Sequence, residues 1–195
     1  MNLVLTSDLV RSFTQFMVNR FGAKVIRKND ATEMRLVGWF LGTMGILDKT
    51  RFINGFATTV GRRIYLPFEP GDLSLDVSLW SQVATIVHEC QHVVQYDKFG
   101  AVSFVSKYLG STAGRTSLEV DAYTTAIELE WWRSQRKIDP ASLALLMKDY
   151  AVKDLDIKVA AVCLRTIAET VWSGAVVTTT SRAAINWFER YGGDQ

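Results

Sequence analysis

Histidine is nearly absent from this chain: 195 residues include two, His88 and His92, and both fall in one five-residue stretch. Cysteine is as scarce. Cys90 and Cys163 cannot supply a disulfide framework, and the expectation is two free thiols in a reducing compartment. An excess of one charge sign is missing too. Twenty-two basic residues face 20 acidic ones for a net +2, which removes the electrostatic case for nucleic acid or an anionic membrane as partner. The longest apolar stretches, such as Leu36 to Leu47, fall well short of the roughly 20 residues a membrane-spanning helix needs. The first residues lack a basic n-region, and Asp8 and Arg11 interrupt their apolar run, so no secretory signal is read there. The expectation is a chain cytoplasmic at synthesis, with export or virion packaging by another route left open. Repeats and low-complexity segments are also missing. What is present is a globular composition, 48% hydrophobic with six Trp, six Tyr and ten Phe, which excludes disorder. The length suits one domain over 1–195, and two would be cramped.

The order of elements reads as α+β. Thr6-Ser7-Asp8 offers caps for a helix through about Arg20, ended by Gly22, with Ala23 to Arg27 short and β-leaning. Asn29-Asp30 can cap a second helix from Ala31 to about Gly45. Between Arg51 and Leu66, Asn54-Gly55 and Gly61 separate β-branched and aromatic runs, a hairpin signature. After Pro67, Pro70 and Gly71 the pattern turns helical. Helices are expected over about Ser78–Phe99, Val102–Leu109, Ser117–Lys137, Pro140–Val152, Ile157–Trp172 and Arg182–Tyr191. A small N-terminal mixed sheet with helices, then a long helix and a mainly helical C-terminal half, is the expected fold. The apolar positions after Asp139, among them Leu143, Leu145, Leu146, Met147, Tyr150, Val159, Val162, Ile167 and Val171, are expected to pack a core. Of the adjacent Trp131 and Trp132, at least one is expected to face inward.

The chemistry sits in His88-Glu89-Cys90-Gln91-His92. Residues four apart lie on one helix face, so the two imidazoles can bind one metal ion. Glu89 is rotated by about 100° from His88, which leaves it beside the metal rather than on it. Zinc lowers the pKa of a water it binds to about 7, and a flanking carboxylate can take the proton. Two ligands and a general base thus fit within five residues. Val83, Ala84, Ile86, Val87, Val93 and Val94 give this helix an apolar setting, and Gly100 is a C-terminal stop.

A catalytic zinc takes three protein ligands and keeps a fourth position open. With no third histidine, that ligand must be Asp, Glu, Cys or Tyr. Glu119 fits best: it lies on the next long helix, with Ala122 and Ala126 on the same face to allow close approach. Asp121, Glu128 and Glu130 point to other faces of that helix, and Asp97 points away from the histidine pair.

Together these residues resemble the zincin metallopeptidases, specifically the gluzincin type with HExxH and a downstream Glu, in its compact bacterial and phage-associated form. The resemblance spans Thr58 to Ala126 and rests on Arg63-Ile64-Tyr65-Leu66 before the helix, on His88-Glu89-x-x-His92-Val93-Val94-Gln95-Tyr96, and on Glu119-Val120-Asp121-Ala122. It implies a zincin-like fold, one zinc ion held by His88, His92 and Glu119, Glu89 as general base, and a peptide or protein as substrate. Larger gluzincins often carry an Asp four residues after the ligand Glu to support a histidine. Here that position is Tyr123, so another group or a backbone carbonyl must orient the histidines. The strand Arg62 to Leu66 would offer an edge to an extended peptide, or else be an ordinary strand within the sheet. Tyr65, Tyr96 and Tyr123 are candidates to stabilise an oxyanion. Zinc-dependent peptide hydrolysis is the leading expectation. A zincin scaffold without turnover, as a virion or secretion-system component, and a hydrolase of cell-wall peptide cross-links are the alternatives.

Overall fold

The computed structural model describes residues 3–28, 56–74 and 77–192. The expected helix from Ala31 and the Asn54-Gly55 turn lie outside these residues. The chain begins with helix α1, Ser7–Phe21, capped by the Thr6 hydroxyl, which accepts from the Leu9 N–H at 3.2 Å. Leu9, Val10, Phe13 and Met17 form its buried stripe, at the spacing a helix face requires. Gly22, at φ 61°, ends the helix in the left-handed conformation that residues with a Cβ adopt at a cost. Strand β1, Lys24–Arg27, follows at once.

Strands β2, Thr58–Val60, and β3, Arg63–Leu66, complete a three-stranded mixed sheet in the order β1-β3-β2. β1 runs parallel to β3, with Lys24 opposite Arg63, and β2 runs antiparallel, with Thr59 opposite Ile64. The strand that could have been an edge is an inner one instead. The strand before the long helix is the central one, paired on both sides, so it offers no free edge to a peptide. Its burial says the same: Ile64, Tyr65 and Leu66 are all buried.

Helix α2, Leu79–Phe99, starts at Ser78, whose side chain caps the Ser81 N–H, and stops at Gly100. Val83, Ile86, Val87, Cys90 and Val93 form its apolar side. They pack with α1, β3 and the last helix, α7 (Thr179–Tyr191), in a core where the Phe13 and Phe188 rings stack 4.6 Å apart. Helix α3, Ala101–Gly110, is short and largely exposed; among its residues only Phe104 is buried. Helix α4, Thr112–Ser134, begins with a Ser111 cap five residues ahead of the position expected from the pattern. It can begin there because Gly114 carries no side chain: a Cβ at that position would meet the Lys107 carbonyl oxygen at 2.5 Å.

Helix α4 is buried on several faces. Leu129 joins the first core, while Val120 and Ile127 join a second, built with α5 (Pro140–Leu146), a 3₁₀ turn (Met147–Tyr150) and α6 (Asp154–Trp172). Both tryptophans of the adjacent pair pack inward, Trp132 against the first core and Trp131 against the second. The apolar positions after Asp139 divide, which corrects the expectation that all are core. Met147 and Val171 are buried, whereas Leu145, Leu146, Val159 and Val162 are exposed. The buried stripe of α6 runs through Ile157, Ala160, Leu164, Ala168 and Val171, and about 100° per residue carries Val159 and Val162 off it. The architecture is α+β, mostly helical with one small mixed sheet. No helix among the described residues is long and apolar enough to cross a membrane.

Candidate metal centre

Helices α2 and α4 pack along one another and bring three ligand-type side chains together. His88 Nε2 lies 3.6 Å from Glu119 Oε2, and His92 Nε2 lies 3.6 Å from Glu119 Oε1. One ligand atom from each of His88, His92 and Glu119 falls within 4.8 Å of the other two. Tetrahedral ligands at 2.0–2.1 Å from zinc stand about 3.3 Å apart, so small side-chain shifts would complete such a site. The carboxylate supports the same reading. Glu119 is 1% exposed, and its Oε2 has no hydrogen-bond partner, an expensive state for a buried carboxylate oxygen unless a cation compensates it. Two imidazoles and a carboxylate form a group able to bind a metal ion, and it is the one such group found among the described residues.

The electrostatics centre on Glu119. Burial alone would raise its pKa, but the His92 and His88 imidazoles hold it well below the usual carboxylate range. Burial likewise pulls His92 down, yet the Glu119 carboxylate more than offsets it and lifts the imidazole to about 9. The buried carboxylate thus favours a protonated His92 as its counter-charge. Three phenols surround it. The Tyr108 hydroxyl donates to Glu119 Oε1 at 3.3 Å, the Tyr123 ring meets the His88 ring edge-on at 4.9 Å, and Tyr150 neighbours Tyr123. Burial, reinforced by the Glu119 charge, raises all three phenols, so they remain neutral donors. Arg115 fastens two of them by the backbone, donating to the Tyr108 carbonyl at 2.8 Å and the Tyr150 carbonyl at 2.5 Å.

Glu89, 5% exposed, sits on the sheet side of α2. The Thr59 hydroxyl of β2 donates to Glu89 Oε2 at 2.7 Å, with the Glu89 carbonyl at 3.2 Å. Lys28, also buried, donates to the Phe56 carbonyl at 2.8 Å and to Thr58 Oγ1 at 3.0 Å. Burial draws its ammonium down to about 8, and the Glu89 charge works against that. Gln95 bridges the two helices. Its Oε1 lies 2.9 Å from His92 Nδ1, and its Nε2 donates to the Leu118 carbonyl at 2.8 Å, with Asp121 Oδ2 at 3.4 Å.

No family model matches the chain, nor does any curated protein or solved structure. The site therefore has to be read from its own residues. His88, His92 and Glu119 come together, with Glu89 on the same helix. The other carboxylates are engaged elsewhere. Asp97 pairs with Arg62 at 2.9 Å, Glu130 with Arg136 at 2.8 Å, and Glu128 accepts from the Val177 and Thr178 N–H groups at the start of α7. Asp121 faces Gln95 rather than the histidines. Of the three tyrosines raised as oxyanion candidates, Tyr65 is buried in β3 and Tyr96 packs on Phe104, leaving Tyr123 beside His88. Gln95, Thr59, Tyr108 and Lys28 were not foreseen. Gln95 alone had a sequence signal: it stands three residues after His92, within reach on one helix face.

Proposed function

We propose that this chain is a zinc-dependent metallohydrolase of gluzincin-like type in a zincin-like fold, acting as a peptidase. The observation that carries the reading is a buried carboxylate, lacking hydrogen-bond partners on one oxygen, set 3.6 Å from each of two imidazoles that share a helix face. His88, His92 and Glu119 would hold the metal. When bound, zinc acts as a Lewis acid and lowers the pKa of a water at its open position to about 7. Glu89, which accepts from the Thr59 hydroxyl, would take and return the proton. Tyr123, whose ring packs on His88, would be the donor to the developing oxyanion. The Glu89→Gln variant tests this reading. It should keep one zinc per chain while hydrolysis of a mixed peptide library disappears, and undiminished cleavage would overturn the role of Glu89.

One observation favours a second reading, a metal-binding scaffold without turnover: Glu89 and Glu119 are 5% and 1% exposed, and the His88 side chain only 14%. Bound zinc together with no cleavage by wild type across that library would select it.

A further inference from the structure

We propose that Gln95 is the positioning residue of this site: it fixes the ring proton of His92 on Nδ1 and ties that ring to the helix carrying Glu119. The inference rests on the metal-centre reading for its purpose, but not for its geometry. The Leu118 carbonyl can only accept a hydrogen bond, so the Gln95 amide must turn its nitrogen toward it, at 2.8 Å. The amide oxygen is thereby committed to His92 Nδ1, 2.9 Å away. An amide oxygen only accepts, so Nδ1 must be the donor. A neutral ring with its proton on Nδ1 keeps the Nε2 lone pair free, and Nε2 is the atom that faces Glu119. The opposite tautomer would place a proton where the metal has to bind.

The same amide aligns the second helix. Leu118 immediately precedes Glu119, and the remaining Gln95 N–H points to Asp121 Oδ2, two residues beyond it, at 3.4 Å. One buried side chain, 2% exposed, thus holds a histidine by its ring and a carboxylate by its backbone. It fills the role that an acidic residue at position 123 would otherwise play, from the histidine's own helix instead of from the helix opposite. His88 instead packs against the Tyr123 ring, with the centroids 4.9 Å apart.

A chain with only two histidines makes the test direct, since a ¹⁵N-histidine spectrum contains just two rings. In zinc-loaded full-length protein, His92 should show a slowly exchanging Nδ1–H and a metal-bound Nε2. Gln95→Glu keeps an acceptor for Nδ1–H but loses the donor to the Leu118 carbonyl, so it should preserve that signal while loosening the tie to α4. Gln95→Met keeps the length of the side chain but neither polar group. It should lose the slow exchange and weaken zinc binding by about 10- to 100-fold, measured against a chromophoric chelator. Wild-type zinc affinity in folded Gln95→Met, or metal bound at His92 Nδ1, overturns the proposal. If Gln95→Met does not fold, the Gln95→Glu spectrum decides: loss of the Nδ1–H signal there counts against it. If wild type binds no zinc, the metal-centre reading fails by itself. Gln95 is then judged on the metal-free protein, where a slowly exchanging His92 Nδ1–H that persists unchanged in Gln95→Met sinks the proposal.

Discussion

Replacing Glu119 with Gln keeps the shape of the side chain and removes the charge that the two imidazoles share. The metal-free protein provides the scale of the effect. His92 rises from an ordinary 6.5 to about 9 against the pull of burial, and Glu119 is the first cause of that rise. That rise is net of burial and is shared with Glu89 and Gln95; at about 1.36 kcal/mol per pH unit it sets the scale of the coupling at about 3 kcal/mol, with the His92 side alone counted so that the pair enters once. The sign follows from both partners. A raised histidine contributes stability that is fully present below pH 6.5 and is lost as the pH climbs through 9. A lowered carboxylate contributes above its ordinary 4.5 and loses that contribution as the pH falls toward its depressed value. The attraction is therefore complete between about pH 4.5 and 6.5. Glu119→Gln should cost about 3 kcal/mol at pH 6 and far less above pH 9.5. The measurement is urea unfolding of both proteins in excess chelator at the two pH values. An equal loss at both would refute the buried ion pair and leave packing as the cause. The same variant, reloaded and dialysed, should retain little zinc. Undiminished stoichiometric zinc would remove Glu119 from the ligand set.

Other outcomes follow from the same contacts. Zinc at about 100 times its dissociation constant should stabilise the wild-type fold by about 2.7 kcal/mol, seen as a higher melting temperature, and His88→Ala should abolish the increment. Thr59→Val removes the donor to Glu89 Oε2 and should lower kcat by about tenfold with zinc content unchanged; an unaltered kcat would show that Glu89 needs no such support. Phe13→Ala empties the centre of the first core, between Trp187 and Phe188, and should cost about 3–5 kcal/mol in equilibrium unfolding.

Much of the fold was legible because its signals are local. Thr6, Gly22, Ser78 and Gly100 mark helix ends by capping chemistry, and each does so in the structure. The order of the strands was not legible. β1 pairs with β3 across more than 30 residues of intervening chain, and no local pattern reports which strand lies in the middle. The start of α4 was not legible because only the close approach of Gly114 to the Lys107 carbonyl, a packing contact, permits it. Glu119 could be found because ligand chemistry restricts the choice and the small residues near it mark a close approach. Thr59 and Tyr108 could not, since each reaches the site from another element at a sequence distance that carries no periodicity. The exposed Val159 and Val162 show the opposite failure: apolar content alone does not say which side of a helix is covered.

Helix α4 belongs to both cores, and that sharing makes the two halves of the ligand set depend on different parts of the protein. The imidazoles ride on a helix anchored by α1, β3 and α7, whereas Glu119 stands next to Val120, whose packing belongs to α5 and α6. In the proposed metal centre, affinity would thus be a remote gauge of α5 and α6, although neither contributes a candidate ligand. A cavity cut at Leu164 would register as weaker metal retention before it registered as unfolding. Selection for the site would then reach well beyond the residues that touch the ion.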